Sequence, residues 1–83
     1  DVQAIRCLTG SEAEVLEFIV KPNSPATKNK IKDLRLPHDV IIGGIVRGDK
    51  VFIAVGDTAI QAYDRVVVFA MPDVVMQVAE YFN

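Results

Sequence analysis

Short runs rich in Val, Ile and Phe, each bounded by Gly, Pro, Asn or Asp, recur at residues 13–20, 40–47, 51–55 and 65–71. Runs of that length and make-up between breakers predict β-strands. A weaker run at 2–8 is a fifth candidate. Two segments read as helices instead. Residues 27–34 are mostly polar, with Ile31 and Leu34 on one face, and Pro37 prevents continuation. The second helix starts at Pro72, where a proline at the first helical position loses no hydrogen bond. Asp73 suits the positive end of its dipole. Val74, Val75, Val78, Tyr81 and Phe82 follow as an apolar stripe, with Gln77 and Glu80 facing away. The order β-α-β-β-β-α predicts an α+β fold, a small mainly antiparallel sheet of four strands, or five with the weaker run, and two helices.

The segment 47–50 predicts a hairpin with Gly48-Asp49 as a two-residue loop, glycine first as a type II′ turn asks. That register sets Val46 opposite Val51, Ile45 opposite Phe52, Gly44 opposite Ile53 and Gly43 opposite Ala54. Strict alternation then places Ile42, Val46, Val51, Ile53 and Val55 on one face. Ile41, Ile45, Phe52 and Ala54 take the other, with Arg47 and Lys50 at its end. Both faces are apolar, and residues 65–71 are apolar on both sides too. A sheet with one wet face should alternate apolar with polar. Two helices can cover only one face, so the other is expected to pack on a second copy or a neighbouring domain. The competing expectation is that residues 2–8 and the proline loop cover it.

Composition sharpens this. The 83 residues, 51% hydrophobic and 24% charged, allow one domain and are rather apolar for a lone monomer. A chain of this length buries only about 60% of its unfolded surface. The net charge of −2 argues against nucleic acid as a partner. No apolar run approaches the roughly 20 residues of a membrane span, so direct membrane insertion is not expected. The single cysteine, Cys7, fits a reducing compartment. Asp1 in place of Met reads as a fragment of a longer chain, with 1–83 as one domain and 1–10 as a leading strand or linker.

Catalytic chemistry finds little footing. His38 is in a loop and Cys7 far upstream, with no third group to orient them. One His and one Cys cannot build a tetrahedral metal site. Glu14 and Glu17 lie on opposite faces of a strand, so with Glu12 they make no carboxylate pair. Gly43-Gly44 matches no phosphate-binding pattern, and glycine inside a strand marks a bulge or a close backbone approach. A shallow place there, rimmed by Arg47 and Lys50, could admit a small anion, or the hairpin end could simply be solvated. The tripeptide 47–49 also spells a cell-adhesion motif, which the tight turn explains without adhesion. Lys21, Lys28, Lys30, Lys32 and Arg35 put five of nine cations into one stretch, either a solvated surface or a contact for an acidic partner.

The segments 13–20, 31–37, 45–48, 56–58 and 64–69 occur in an order and spacing similar to the C-terminal domain of the regulator-of-potassium-conductance family (TrkA_C, or RCK_C). The resemblance runs from about residue 10 to the end. It implies a cytoplasmic regulatory module at the inner face of the cell membrane, following a nucleotide-binding domain and controlling a membrane-embedded potassium transporter subunit. It also implies a homodimer, no enzyme and no cofactor of its own, with a small effector such as a nucleotide bound between copies. Arg47 is the expected anion contact, with Ile45 and Phe52 as apolar lining. Two departures stand out. Tyr63 occupies a position where the family often has glycine, and positive φ is costly for other residues. Residues 51–55 lack the Asn and Pro of members that bind cyclic di-adenosine monophosphate, with Ala54 at the proline position. The alternatives are a purely structural assembly domain and the same module on another ion transporter.

Overall fold

Five strands form one sheet in the order β1-β2-β5-β3-β4, every neighbouring pair antiparallel. The strands are β1 (Val2–Ile5), β2 (Glu14–Ile19), β3 (Val40–Arg47), β4 (Lys50–Ile53) and β5 (Arg65–Ala70). The computed structural model describes residues 12–83 and, by its backbone, the segment 2–5. The expected fifth strand is therefore present over Val2–Ile5, at the β2 edge of the sheet. The remainder of the 2–8 run, with Cys7, lies outside the described residues.

One face of this sheet carries the core. Leu16 and Phe18 of β2, Ile45 of β3, and Val66, Val68 and Ala70 of β5 are buried there. Their cover is the C-terminal segment. Pro72 opens a 3-10 turn (Pro72–Val74), α1 (Val75–Ala79) follows, and a second 3-10 turn (Glu80–Phe82) ends the chain. Val78 and Phe82 of the expected stripe are fully buried, while Gln77 and Glu80 face outward. The Phe82 ring stacks on Phe18 with centroids 4.8 Å apart. Each such side chain contributes roughly 1.5–3 kcal/mol by leaving water.

The expected helix over 27–34 is instead two 3-10 turns, Pro25–Thr27 and Ile31–Asp33. Lys30 between them is extended, and the Ile31 and Lys32 N–H groups donate to the carbonyls of Thr58 and Gly56, 3.0 and 2.9 Å away. An isolated polar helix this short cannot repay its nucleation cost, so the backbone bonds to the neighbouring loop win. Leu34 still reaches the core, and Ile31 packs beside it.

The hairpin has the expected register, Arg47↔Lys50 to Gly44↔Ile53, with Gly48 at φ +62°. The face assignment needs one correction. Opposite β5 the ladder steps from Ile42↔Val68 to Gly44↔Val67, leaving Gly43 as a bulge. A bulge adds one residue and reverses the alternation beyond it. Ile42 therefore shares the core side with Ile45 and Phe52, and Ile41 goes with Gly44, Val46, Val51 and Ile53. The Gly43↔Ala54 pairing does not form, since the β3–β4 ladder ends at Gly44↔Ile53. The Phe69 ring lies so close over Gly43 that a Cβ there would sit 2.6 Å from Phe69 Cε2.

Tyr63 takes φ +71° in the turn before β5. Its N–H donates to the Val20 carbonyl at 2.7 Å, and Val20 N–H donates to the Asp64 carbonyl at 2.9 Å. The end of β2 thus clamps this turn in a left-handed conformation that costs a non-glycine residue about 1–2 kcal/mol.

Candidate functional site

Side chains opposite the core build the second sheet face. Reading across from β2 to β4, it presents Val15, Glu17 and Ile19, then Arg65, Val67 and Phe69, then Ile41, Gly44 and Val46, then Val51 and Ile53. Its middle and its β4 side are apolar, and four large residues there stay open to water: Ile41 at 66%, Val51 at 77%, Ile53 at 75% and Phe69 at 42%. A contiguous apolar patch of this kind marks an interaction surface. Of the covers expected for it from the chain itself, β1 continues the sheet edge-on and the proline loop packs on the core side, where Ser24 and Ala26 are buried. Neither Val2–Ile5 nor that loop covers the open face.

The open face has a depression at each end of β5. Val46, Gly48, Tyr63 and Arg65 line one of about 320 Å³. Ala13, Asp39, Ile41, Phe69, Ala70 and Met71 line the other, of about 220 Å³. At the first end the Arg65 guanidinium approaches the Glu17 carboxylate at a loose 3.8 Å.

Arg47, Ile45 and Phe52 do come together, but at the corner of the core side. Ile45 is wholly buried opposite Phe52. The Arg47 guanidinium lies 5.1 Å from the Phe52 ring centroid, within reach of a cation–π attraction. It is also committed elsewhere. Nε donates to Asp64 Oδ1 at 2.9 Å, and Nη2 donates to Asp64 Oδ2 at 2.8 Å and to the Ala59 carbonyl at 3.0 Å. Asp64 is buried, and its Oδ2 also accepts the Gln61 N–H. The hydrogen bonds to Asp64 hold the guanidinium more firmly protonated than a free arginine; partial burial opposes the shift and the opposite charge of Asp64 adds to it. Among the described residues, Nη1 makes no hydrogen bond. The forked pair joins the end of β3 to the start of β5.

Sequence reasoning missed Asp64 as the partner of Arg47. The signal was an acidic residue at the mouth of an otherwise apolar strand, where an exposed charge would not be needed. The shallow place expected at Gly43 is occupied by the Phe69 ring, and Arg47 stands on the opposite side of the sheet from it. His38 is exposed, as are Lys21, Lys28, Lys30 and Arg35, while Lys32 pairs with Asp57 at 3.0 Å. Among the described residues no three His, Cys, Asp or Glu side chains converge as metal ligands.

Residues 15–83 match the model of the TrkA-C domain. This chain belongs to the TrkA-C domain family. Among its curated relatives is a Trk system potassium uptake protein TrkA homolog of Archaeoglobus fulgidus, 40% identical over 85 residues, covering 99% of this chain and 19% of the relative. A Trk system potassium uptake protein TrkA of Azorhizobium caulinodans is 31% identical over 82 residues, covering 99% and 18%. The chain thus spans about a fifth of the length of these relatives. A solved structure described as "Structure of RCK domain with cda" superposes with a TM-score of 0.72 at 17% identity, covering 83% of this chain and 97% of its own. That likeness shows that the TrkA-C sheet and its C-terminal cover are an RCK-type fold. Among the described residues of this TrkA-C domain, no helix is long and apolar enough to cross a membrane.

Proposed function

We propose that this domain is a regulatory, pairing module of a potassium uptake protein, which senses a small effector and passes its state to a membrane-embedded transporter subunit. The observation that carries the reading is the open apolar face. Ile41, Val51, Ile53 and Phe69 stand in water on a domain whose other sheet face carries the buried core, and a second copy would remove them from it. Family membership and the names of the relatives support the link to potassium uptake. In this reading the parent protein works in the cytoplasm against the inner face of the membrane, and the domain itself is no enzyme. An effector would act by preferring one arrangement of the paired domains, and it would meet Arg47 through the free Nη1 and Phe52 through its open side, with Ile45 behind them.

A second reading has one observation in its favour. Three of the five Arg47 N–H groups are already used within the chain, as suits a structural strut in a pure assembly domain. Thermal-shift measurements with nucleotides, cyclic dinucleotides and divalent ions separate the two, because a ligand of the folded state raises the melting temperature by mass action. A shift with one class, lost on Phe52→Ala, supports sensing. No shift across the panel leaves pairing as the whole function, and a chain that stays monomeric by light scattering at high micromolar concentration rejects both.

A further inference from the structure

On the reading that two copies pair through the open face, we infer that they meet head to tail, with Tyr63 of each seated in the depression between Asp39 and Met71 of the other. Tyr63 is 74% exposed although its backbone is held at φ +71°, and its hydroxyl makes no hydrogen bond among the described residues. A bulky aromatic fixed in a left-handed turn and pointing at solvent is costly within one chain, and such outliers gather at functional contacts. Tyrosine is also a favoured anchor residue of interfaces.

The receiving site is on the same face. Tyr63 and Arg65 border the depression at the start of β5, whereas Asp39, Ile41 and Met71 border the apolar one past its end. The six residues of β5 separate them by about 20 Å. A two-fold axis in the plane between the sheets, perpendicular to the strands and crossing β5 near Val67, reverses the partner's strands. One operation then brings both tyrosines to both depressions, as an isologous contact requires.

Charge selects this orientation over the other. Head to tail, the Arg65 guanidinium meets the partner's Asp39, for which no ion pair exists among the described residues, and the Tyr63 hydroxyl gains that carboxylate as acceptor. With strands parallel about an axis along β5, Arg65 would face its own copy, whereas head to tail it is Glu17, level with Val67 on β2, that meets its own copy with Arg65 beside it. The two Arg65–Asp39 contacts tip the balance toward head to tail, because opposite charges in contact favour association and like charges oppose it.

The test is cross-linking in a Cys7→Ser background. Tyr63→Cys chains are mixed with Met71→Cys chains, one of the two carrying a mass tag, and oxidised with copper phenanthroline. The expected product is the mixed covalent dimer, in excess over either variant linked to itself. Predominant self-linking of Tyr63→Cys overturns the head-to-tail arrangement, and so does absence of the mixed product while the unmodified chain is dimeric. A monomeric unmodified chain instead removes the pairing reading beneath it. Tyr63→Gly provides a second readout, since it relieves the strained turn and should melt no lower than the parent at concentrations where both are monomeric. It is expected to raise the dimer dissociation constant by roughly tenfold or more; an unchanged dissociation constant overturns the proposal.

Discussion

Val66 and Val68 point to one side of β5, and Val67 and Phe69 point to the other. The two sets are alike in chemistry, yet the first is fully buried and the second is not. What separates them is the cover: the C-terminal segment and the loop carrying Ala26 and Leu34 lie over the first, and the described chain has no layer left for the second. A sheet with helices on one side only can leave its other face polar. Here that face is written in Ile, Val and Phe, which is the composition of a face that becomes internal on association. The lesson is that burial within a chain follows the number of layers, and that a surplus of apolar β-surface points to a layer supplied from outside.

Five substitutions break or sharpen this contrast. On the roofed side, Phe82→Ala removes the ring stacked on Phe18 and opens the core to the chain end. It should cost about 3–5 kcal/mol in chemical unfolding; a loss below about 1 kcal/mol would mean that the C-terminal segment is not the roof. Next comes the strut between β3 and β5. Arg47→Met leaves Asp64 buried without its cation and should cost about 3 kcal/mol. Adding Asp64→Asn should restore part of that, because removing both charges of a buried pair is cheaper than removing one.

On the open side the expectation reverses. Phe69→Asp should change unfolding free energy, measured at low protein concentration, by less than about 1 kcal/mol, while abolishing self-association in gel filtration. A large loss of stability would place Phe69 in the core after all. The smallest effect is expected at Ser24, whose buried hydroxyl has no hydrogen-bond partner among the described residues. Ser24→Ala should raise stability by about 1 kcal/mol, visible as a higher melting temperature.

Much of this architecture was legible in the residues. The alternation of Val66 and Val68 against Val67 and Phe69, the two-residue loop at Gly48-Asp49 and the helix start at Pro72 are local signals, and the strands, the hairpin register and the C-terminal stripe follow from them. Three features depend on contacts far along the chain. The bulge at Gly43 exists because the Phe69 ring needs room over the backbone, and strict alternation therefore exchanged the faces of Ile41 and Ile42. Residues 27–34 turn in 3-10 fashion because Gly56 and Thr58 capture the backbone N–H groups a helix would have used. Arg47 could be recognised as a cation near an apolar pair, but Asp64, seventeen residues away, showed only as an acid at the head of an apolar strand and not as its partner. The Tyr63 position stood out only against the family resemblance, in which glycine is frequent there. The chain accepts the left-handed conformation there, clamped by Val20.

Sedimentation equilibrium of the unmodified chain beside Phe69→Asp, from low to high micromolar concentration, tests the central claim most directly. Closure of the open face by a second copy requires the unmodified chain to move from one to two times its own mass across that range, with the variant remaining at one. A single-chain mass for both proteins at every concentration would contradict it.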